Sequence, residues 1–238
     1  MNRGFFVPIL LLAIIISSCK DGHYKTVSSA TDSPDIIKLQ IPYTEYKKLL
    51  DSNRIKMADF YKALPDKAFA KDSIANYWVE TLGTGLFDYW HGTTWGFNGI
   101  TQIPKEGNIA CGYFVTTLLT HMGLNISRSR LAQMPSSQMM KSICPAQQIE
   151  SYNNLNFAQF ATAMQQLKKG VYIIGLDFHT GFIIHDGRSA YFMHSYYGNN
   201  IGVIKEAVDQ STALIKSQTK WLISLTGDDA LIKRWLNI

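Results

Sequence analysis

The sequence of 238 residues has no dense block of lysine or arginine, although its 23 basic residues outnumber its 18 acidic ones. Proteins that bind nucleic acid usually carry clustered positive charge, so this scatter argues against nucleic acid as a partner. Internal repeats and long low-complexity tracts are also missing, which excludes solenoids and collagen-like rods. Charged residues make up only 17% and hydrophobic residues 46%, which excludes intrinsic disorder.

The sequence also lacks a phosphate-binding glycine loop and a nucleotide fingerprint, so we expect no cofactor. It has no compact metal-ligand motif, and we expect no metal. A zinc site formed by His179, His185 and His194 is a weaker alternative, because it requires His185 to leave an expected turn.

Long apolar runs are scarce, and the one that stands out is N-terminal. It covers residues 5–16, follows Arg3 and contains Pro8. A charged start, a short apolar core and small residues before a cut site are typical of a secretory signal. The run is too short to span a bilayer comfortably. We therefore predict a signal peptide over residues 1–18.

The end of this signal, Ile16-Ser17-Ser18-Cys19, resembles a bacterial lipobox. The resemblance implies cleavage before Cys19, lipidation of that cysteine and attachment to a membrane through the lipid. The protein is then a lipoprotein of the bacterial cell envelope, facing the periplasm or the exterior. An ordinary secretory signal with an incidental cysteine is the alternative.

The rest of the chain favours helices first and an antiparallel sheet later, which is typical of an α+β fold. Residues 19–35 read as a tether, 36–88 as an N-terminal helical extension and 89–238 as the main domain. Periodicity and capping signals predict helices at 44–50, 68–82, 108–122, 157–169 and 228–235, strands at 171–176, 180–184, 189–194, 202–204 and 221–225, and a loop at 83–107.

Cys111 lies near the start of a buried helix that Asn108 is expected to cap. A helix N-terminus stabilises a thiolate, which is the nucleophilic form of cysteine. Two other interpretations stay open. Cys111 could be an ordinary small core residue, or it could pair with Cys144, since an exported protein meets oxidising conditions.

A nucleophilic cysteine needs a base, and a predicted hairpin supplies histidines. A two-residue turn at Asp186-Gly187 would place His179 directly opposite His194 on one face of the sheet. One ring could then act as base and the other could orient it, as in a catalytic triad. The same register leaves His185 exposed beside the turn.

Four segments in this order resemble the NlpC-type, papain-like cell-wall peptidases. That family shows an aromatic Gly-Thr loop, a nucleophile that opens a helix, and a histidine strand followed by a strand with an orienting polar residue. The matching segments are Tyr89-Trp90-His91-Gly92-Thr93-Thr94-Trp95, Ile109-Ala110-Cys111-Gly112-Tyr113-Phe114-Val115, His179-Thr180-Gly181-Phe182-Ile183-Ile184 and Phe192-Met193-His194-Ser195.

The resemblance implies a papain-like core in which the cysteine helix packs on an antiparallel sheet. It implies Cys111 as nucleophile, His179 as base and His194 as the residue that orients the base. Two positions depart from the family. Ala110 replaces an aspartate that helps to bind the substrate amine, and Trp95 replaces a tyrosine near the oxyanion.

Substrate-binding residues are expected around these three. We assign Tyr89, Trp95, Asn98 and Ala110 to substrate binding, with Asn98 or Gln102 as a further amide donor. Aromatic side chains are expected to wall a groove for an extended peptide; they are Tyr89, Trp90, Trp95, Phe97 and Tyr196.

The sequence thus predicts a lipid-anchored cysteine hydrolase that cleaves an amide bond, with peptidoglycan stem peptides as the expected substrates. Two alternatives belong to other classes. One is a peptide- or cell-wall-binding lipoprotein that has lost turnover, which Ala110 and Trp95 favour. The other is a thiol-dependent acyltransferase.

Overall fold

The structure, a computed structural model, describes residues 41–238. The predicted signal peptide at 1–18, the lipidation site Cys19, the tether at 19–35 and the first part of the extension lie outside the described residues. No helix within the described part is long and apolar enough to cross a bilayer.

The described residues form nine α-helices and six strands, which are numbered here in chain order. The helices are α1 Tyr43–Ala63, α2 Lys67–Glu80, α3 Phe87–Trp90, α4 Cys111–His121, α5 Arg128–Ala132, α6 Ser136–Ile143, α7 Phe157–Gln165, α8 Thr212–Lys216 and α9 Asp229–Leu236. The strands are β1 Glu150–Ser151, β2 Gly170–Leu176, β3 Thr180–His185, β4 Ala190–Tyr196, β5 Gly202–Ala207 and β6 Lys220–Ser224.

The six strands form one sheet in the order β1-β6-β2-β3-β4-β5. Every neighbouring pair is antiparallel. Most of the helices precede the sheet along the chain, so the predicted α+β class with an antiparallel sheet is confirmed. The predicted strands and helices are present, and most of their ends are shifted by only a few residues. The first helix is the exception, since α1 extends to Ala63 rather than residue 50. The short β1, α5, α6 and α8 were not predicted.

Side chains of the sheet alternate between two apolar layers, as the period of a strand requires. On one face, Phe182 and Ile184 pack with Phe114 of α4 and with residues of α1, α2 and α9. On the other face, Ile183 and Phe192 pack with α7. The helical part of the 36–88 segment therefore shares a core with the sheet, and residues 41–238 form one compact unit.

Capping side chains hold the starts of α2 and α9, whereas the cap expected at Thr44 is absent, because Pro42 occupies the N-cap position of α1. The Asp66 carboxylate accepts hydrogen bonds from the N–H groups of Ala68 and Phe69 at the start of α2. Asp228 accepts from the Leu231 N–H group at the start of α9, where a cap was predicted.

The predicted loop at 83–107 is wrong in its first third. Residues Thr81–Leu86 continue α2 as a π-helical turn, and α3 follows directly. Gly83 lies against Ile184 of β3, where the absence of a side chain allows the close approach. Glycines that suggested a loop therefore serve packing.

The start of α4 also differs from the prediction. The helix begins at Cys111, and Ala110 occupies the N-cap position without a side-chain cap. Asn108 is engaged elsewhere, because its Oδ1 accepts a hydrogen bond of 2.7 Å from Thr94. Cys111 is thus the first helical residue rather than one inside the first turn.

The register of the β3–β4 hairpin differs by two residues from the prediction. His185 faces Ala190 rather than Arg188, and residues 186–189 form the connection. The Asp186 carboxylate accepts hydrogen bonds from the N–H groups of Arg188 and Ser189, which stabilises this longer turn. A shift by two residues leaves each side chain on its original face, because the period of a strand is two.

His185 is therefore buried, at 5% exposure, and the expectation of an exposed His185 is wrong. Its Nδ1 accepts a hydrogen bond from the Gly187 N–H group. Its Nε2 then carries the proton and donates to the Gln165 carbonyl at 3.1 Å. His185 is a structural residue of the turn.

Candidate active site

Cys111 is held at the N-terminus of α4 by the chain that precedes it. The Ile109 N–H group donates to Thr94 O, and the Ala110 N–H group donates to Gly99 O at 2.9 Å. A Cβ at Gly99 would lie 2.6 Å from backbone atoms of Asn108 and Ile109, so this close approach requires glycine. These contacts fix the start of the helix and leave Cys111 partly exposed.

The residue after the cysteine is small for a similar reason. A Cβ at Gly112 would lie 2.3 Å from the Ala132 carbonyl oxygen of α5. The first N–H groups of a helix have no partner within the helix. At the start of α4, the N–H groups of Cys111 and Gly112 are therefore available to hold negative charge beside the sulfur.

His179 and His194 are neighbours, as predicted, but the strand register that brings them together differs from the predicted one. His179 comes immediately before β3 and His194 lies in β4, so they are diagonal rather than direct neighbours. His179 Nε2 and His194 Nδ1 are 2.7 Å apart and share a hydrogen bond. The His194 ring stacks on Phe192 at 4.0 Å between centroids and is fully buried.

Glu206 completes this chain of hydrogen bonds, and the sequence analysis missed it. The Glu206 carboxylate lies 3.1 Å from His194 Nε2. Glu206 faces Phe192 across β4 and β5, two residue pairs from His194 and therefore on the same face of the sheet. The predicted strand at 202–204 ended too early to include it. Extending that strand by one alternation would have placed a carboxylate on the face of the histidines.

The carboxylate determines where the protons sit. An ionised Glu206 only accepts, so His194 Nε2 carries a proton and donates it. His194 Nδ1 is then an acceptor, and His179 Nε2 donates to it. The remaining nitrogen, His179 Nδ1, is left with a lone pair. It has no hydrogen-bond partner among the described residues although it is buried.

Cys111 and His179 border the same open space. Cys111 and His179 both line a cavity of about 760 Å³. The backbone of Thr180, the residue after His179, helps to lower the pKa of the Cys111 thiol, so the sulfur lies beside this part of the chain. A thiol and a histidine with a free lone pair therefore line one cavity. In the resting structure the sulfur is not a hydrogen-bond partner of His179 Nδ1, so proton transfer between them requires the two groups to approach each other.

The pKa values favour a neutral pair at rest. Burial raises the pKa of the Cys111 thiol, and backbone hydrogen bonds from Thr180 and Gly112 offset only part of the rise. Burial and the neighbouring His194 hold the pKa of His179 well below its ordinary value near 6.5. The structure thus differs from the expected resting thiolate, because burial outweighs the helix N-terminus.

The pKa values of His194 and Glu206 also keep their protonation states fixed at neutral pH. Burial lowers the pKa of His194, although Glu206 opposes the change. Burial raises the pKa of Glu206, but hydrogen bonds from His194 and Ser211 outweigh it, and the net pKa lies below the ordinary value. Glu206 is therefore ionised while both histidines are neutral.

The predicted substrate-binding residues divide into two groups. Trp95, Asn98 and Ala110 line the cavity with Cys111. Tyr89 does not: it packs against Tyr43 and Tyr46, and its hydroxyl donates to the Ile41 carbonyl. Because α1 covers this side of α3, Tyr89 is a packing residue.

The predicted aromatic groove needs similar corrections. Phe97 lines the cavity as expected. Trp90 is fully buried and donates to the Tyr43 hydroxyl, and Tyr196 is not part of the cavity lining. Phe178 and Tyr197 take their place. Gln102 is exposed and does not line the cavity, so of the two predicted amide donors only Asn98 lies at the site.

Cys144 lies apart from the site. It is fully buried at the end of α6, with its sulfur 3.9 Å from the Ser224 carbonyl oxygen. Cys111 and Cys144 are both free thiols in the structure. Within residues 41–238, no group of three or more His, Cys, Asp or Glu side chains is arranged to hold a metal ion.

Comparison with known proteins adds no assignment. No protein-family model, curated protein or solved structure matches this chain. The site is therefore interpreted from its own geometry.

Proposed function

We propose that this protein is a cysteine hydrolase that cleaves an amide bond through Cys111, His179 and His194. The observation that carries the proposal is the buried, unpartnered Nδ1 of His179 in the cavity that Cys111 lines. The hydrogen bonds from Glu206 through His194 keep a lone pair on that nitrogen. A structural histidine gains nothing from such an arrangement, because an unmade buried hydrogen bond is destabilising.

The proposed reaction begins with transfer of the Cys111 proton to His179 Nδ1. The thiolate then attacks the carbonyl carbon, a C–S bond forms, and the carbonyl oxygen takes the negative charge. The N–H group of Cys111 is one donor to this oxyanion, and the Trp95 ring or the Asn98 amide is a second. His194 and Glu206 hold the ring and stabilise its positive charge.

Collapse of the tetrahedral intermediate breaks the C–N bond and leaves a thioester on Cys111. The amine leaves with the proton from His179 Nδ1. Water then attacks the thioester, giving its proton to the same nitrogen. The acid product leaves, the proton returns to the sulfur, and the site is regenerated.

The resemblance to NlpC-type peptidases extends the proposal to fold, substrate and location. A cysteine helix packed on an antiparallel sheet, with Cys, His and His in that order, supports a papain-like core. Stem peptides of peptidoglycan are then the first substrates to test. Cys19 would carry a lipid anchor that holds the protein in the cell envelope.

The first experiment measures alkylation of Cys111 by iodoacetamide from about pH 5 to 9, with the labelled site identified by mass spectrometry. Because burial raises the pKa of the Cys111 thiol, we expect labelling to increase with pH, and His179→Ala should slow it at neutral pH, since no ring then takes the proton. Cys144→Ala is the matched control, because Cys144 is buried and should not react. Labelling that appears only above about pH 8 and ignores His179→Ala would overturn the proposal.

A binding protein without turnover is the second candidate. The raised pKa of Cys111 and the alanine at position 110 favour it. It predicts that a cell-wall peptide binds equally well to the native protein and to Cys111→Ser, with no product that depends on Cys111. A product formed only by the native protein would exclude it.

A further inference from the structure

The cavity beside Cys111 has an unusual composition for a peptide-binding site. Thirteen residues line it, and among these described residues none is Asp, Glu, Lys or Arg. Its polar side chains include Asn98 and Gln133, and the Gln133 amide donates to the Tyr113 hydroxyl at 2.8 Å. The lining therefore offers no charge to a carboxylate or an amine of a substrate.

One cation packs against a residue of the cavity wall, and three of its five N–H groups bind protein oxygens. The Arg128 guanidinium lies 4.8 Å from the centroid of the Tyr113 ring. Its Nε donates to Thr117, and one terminal nitrogen donates to the carbonyl oxygens of Ile100 and Thr101. Arg128 joins the loop to α4 and is not among the residues that line the cavity.

Large apolar side chains surround the opening. Phe178 is 97% exposed, Phe97 is 81% exposed and Ile100 is 58% exposed, and all three line the cavity. Single exposed apolar residues are common on proteins, whereas a cluster around one cavity marks a binding surface. We call these three residues the apolar rim.

We propose that this cavity holds the uncharged, apolar acyl chain of the substrate, so that the hydrolase releases a fatty acyl group rather than a charged peptide segment. The inference rests on the proposed function, because the chain is placed by its carbonyl carbon at Cys111. An ionised carboxylate is disfavoured in the cavity, because its burial without a partner is costly.

The two parts of the substrate, on either side of the scissile bond, then occupy different cavities. The acyl chain stays on Cys111 as a thioester while the leaving alcohol or amine takes the proton from His179. A second cavity of about 370 Å³ also includes Cys111 and His179 in its lining, with Ser136 and Asp177 among its other residues. We assign the polar leaving group to this second cavity.

The test uses p-nitrophenyl esters of acetyl, butyryl, octanoyl and dodecanoyl chains, below their micelle concentrations, with the native protein. Release of p-nitrophenol gives kcat/KM, and intact mass spectrometry detects the acyl group on Cys111. Each methylene buried in the cavity raises kcat/KM about fourfold. We expect an increase on the order of 10²-fold from butyryl to octanoyl.

Two serine variants test the location of the chain. Ile100→Ser removes one member of the apolar rim and should flatten the dependence on chain length. Ile55→Ser is the matched control, because Ile55 is 53% exposed on α1 and does not line the cavity. It should keep the dependence of the native protein. Equal behaviour of the two variants would overturn the inference.

The outcomes separate this inference from the proposed function. If no ester acylates Cys111, the proposed function fails. If Cys111 is acylated at rates that do not depend on chain length, the hydrolase stands and the acyl-chain inference fails. Cleavage of a carboxylate-bearing stem peptide with a kcat/KM equal to that of the octanoyl ester would also overturn it.

Discussion

Replacing Glu206 by glutamine should slow the reaction of Cys111 without unfolding the protein. The amide oxygen can still accept the hydrogen bond from His194 Nε2, so the tautomers are kept and only the charge is lost. Glu206 lies 3.1 Å from that nitrogen, and its side chain is 26% exposed. The carboxylate is thus shielded enough to stabilise a positive charge on the two histidines.

The size of the effect follows from the change in hydrogen-bond type. A hydrogen bond to a charged group contributes about 1–2 kcal/mol more than a neutral one. Cys111 becomes a thiolate only as His179 becomes positive, so we expect alkylation at neutral pH to slow by about 5- to 30-fold. The pH profile should also move to higher pH.

The assay is the second-order rate of iodoacetamide labelling at Cys111 as a function of pH. Glu150→Gln is the matched control, because Glu150 lies on the strand at the opposite edge of the sheet. Unchanged labelling in Glu206→Gln, together with a large loss in His179→Ala, would refute the reasoning. The charge of Glu206 would then play no part in the reactivity of Cys111.

The remaining predictions concern stability and the packing of α4. Burial lowers the pKa of His121 to about 4, so the unfolded state binds more protons between that pH and 6.5. His121 alone should contribute about 2–3 kcal/mol to the loss of stability between pH 7 and 4.5, in addition to the buried His179 and His194, and His121→Asn should remove that share in urea titrations. Gly112→Ala should lower the free energy of unfolding by about 1–3 kcal/mol and slow Cys111 labelling, because the new Cβ meets the Ala132 carbonyl oxygen. Asp66→Ala should cost about 1 kcal/mol in the same titrations and leave labelling unchanged, since it removes only the cap of α2.

The sequence predicted the elements that depend on local pattern. The strands at 171–176 and 180–184 have continuous apolar runs, and α9 has Asp228 as its cap. The pairing of His179 with His194 was also predicted, because face membership depends only on odd or even spacing. The observed register differs from the predicted one by two residues, so the two histidines still lie on the same face.

The errors came from contacts between distant parts of the chain. Asn108 does not cap α4 because Thr94 binds its side chain, and no local pattern encodes that contact. Tyr89 is a packing residue because α1 covers it. Glu206 was missed because its role depends on which strand lies beside β4. The sequence therefore identified Cys111 and the two histidines of the proposed site, and only the tertiary structure revealed Glu206 beside His194.

The most direct test of the account is the protonation of the His179 ring, measured by nitrogen-15 NMR of histidine side chains at neutral pH. The account predicts a neutral ring with its proton on Nε2 and a bare Nδ1, next to a neutral His194 protonated on Nε2. A His179 ring that carries its proton on Nδ1 would contradict the account, because that nitrogen could not accept the proton of Cys111.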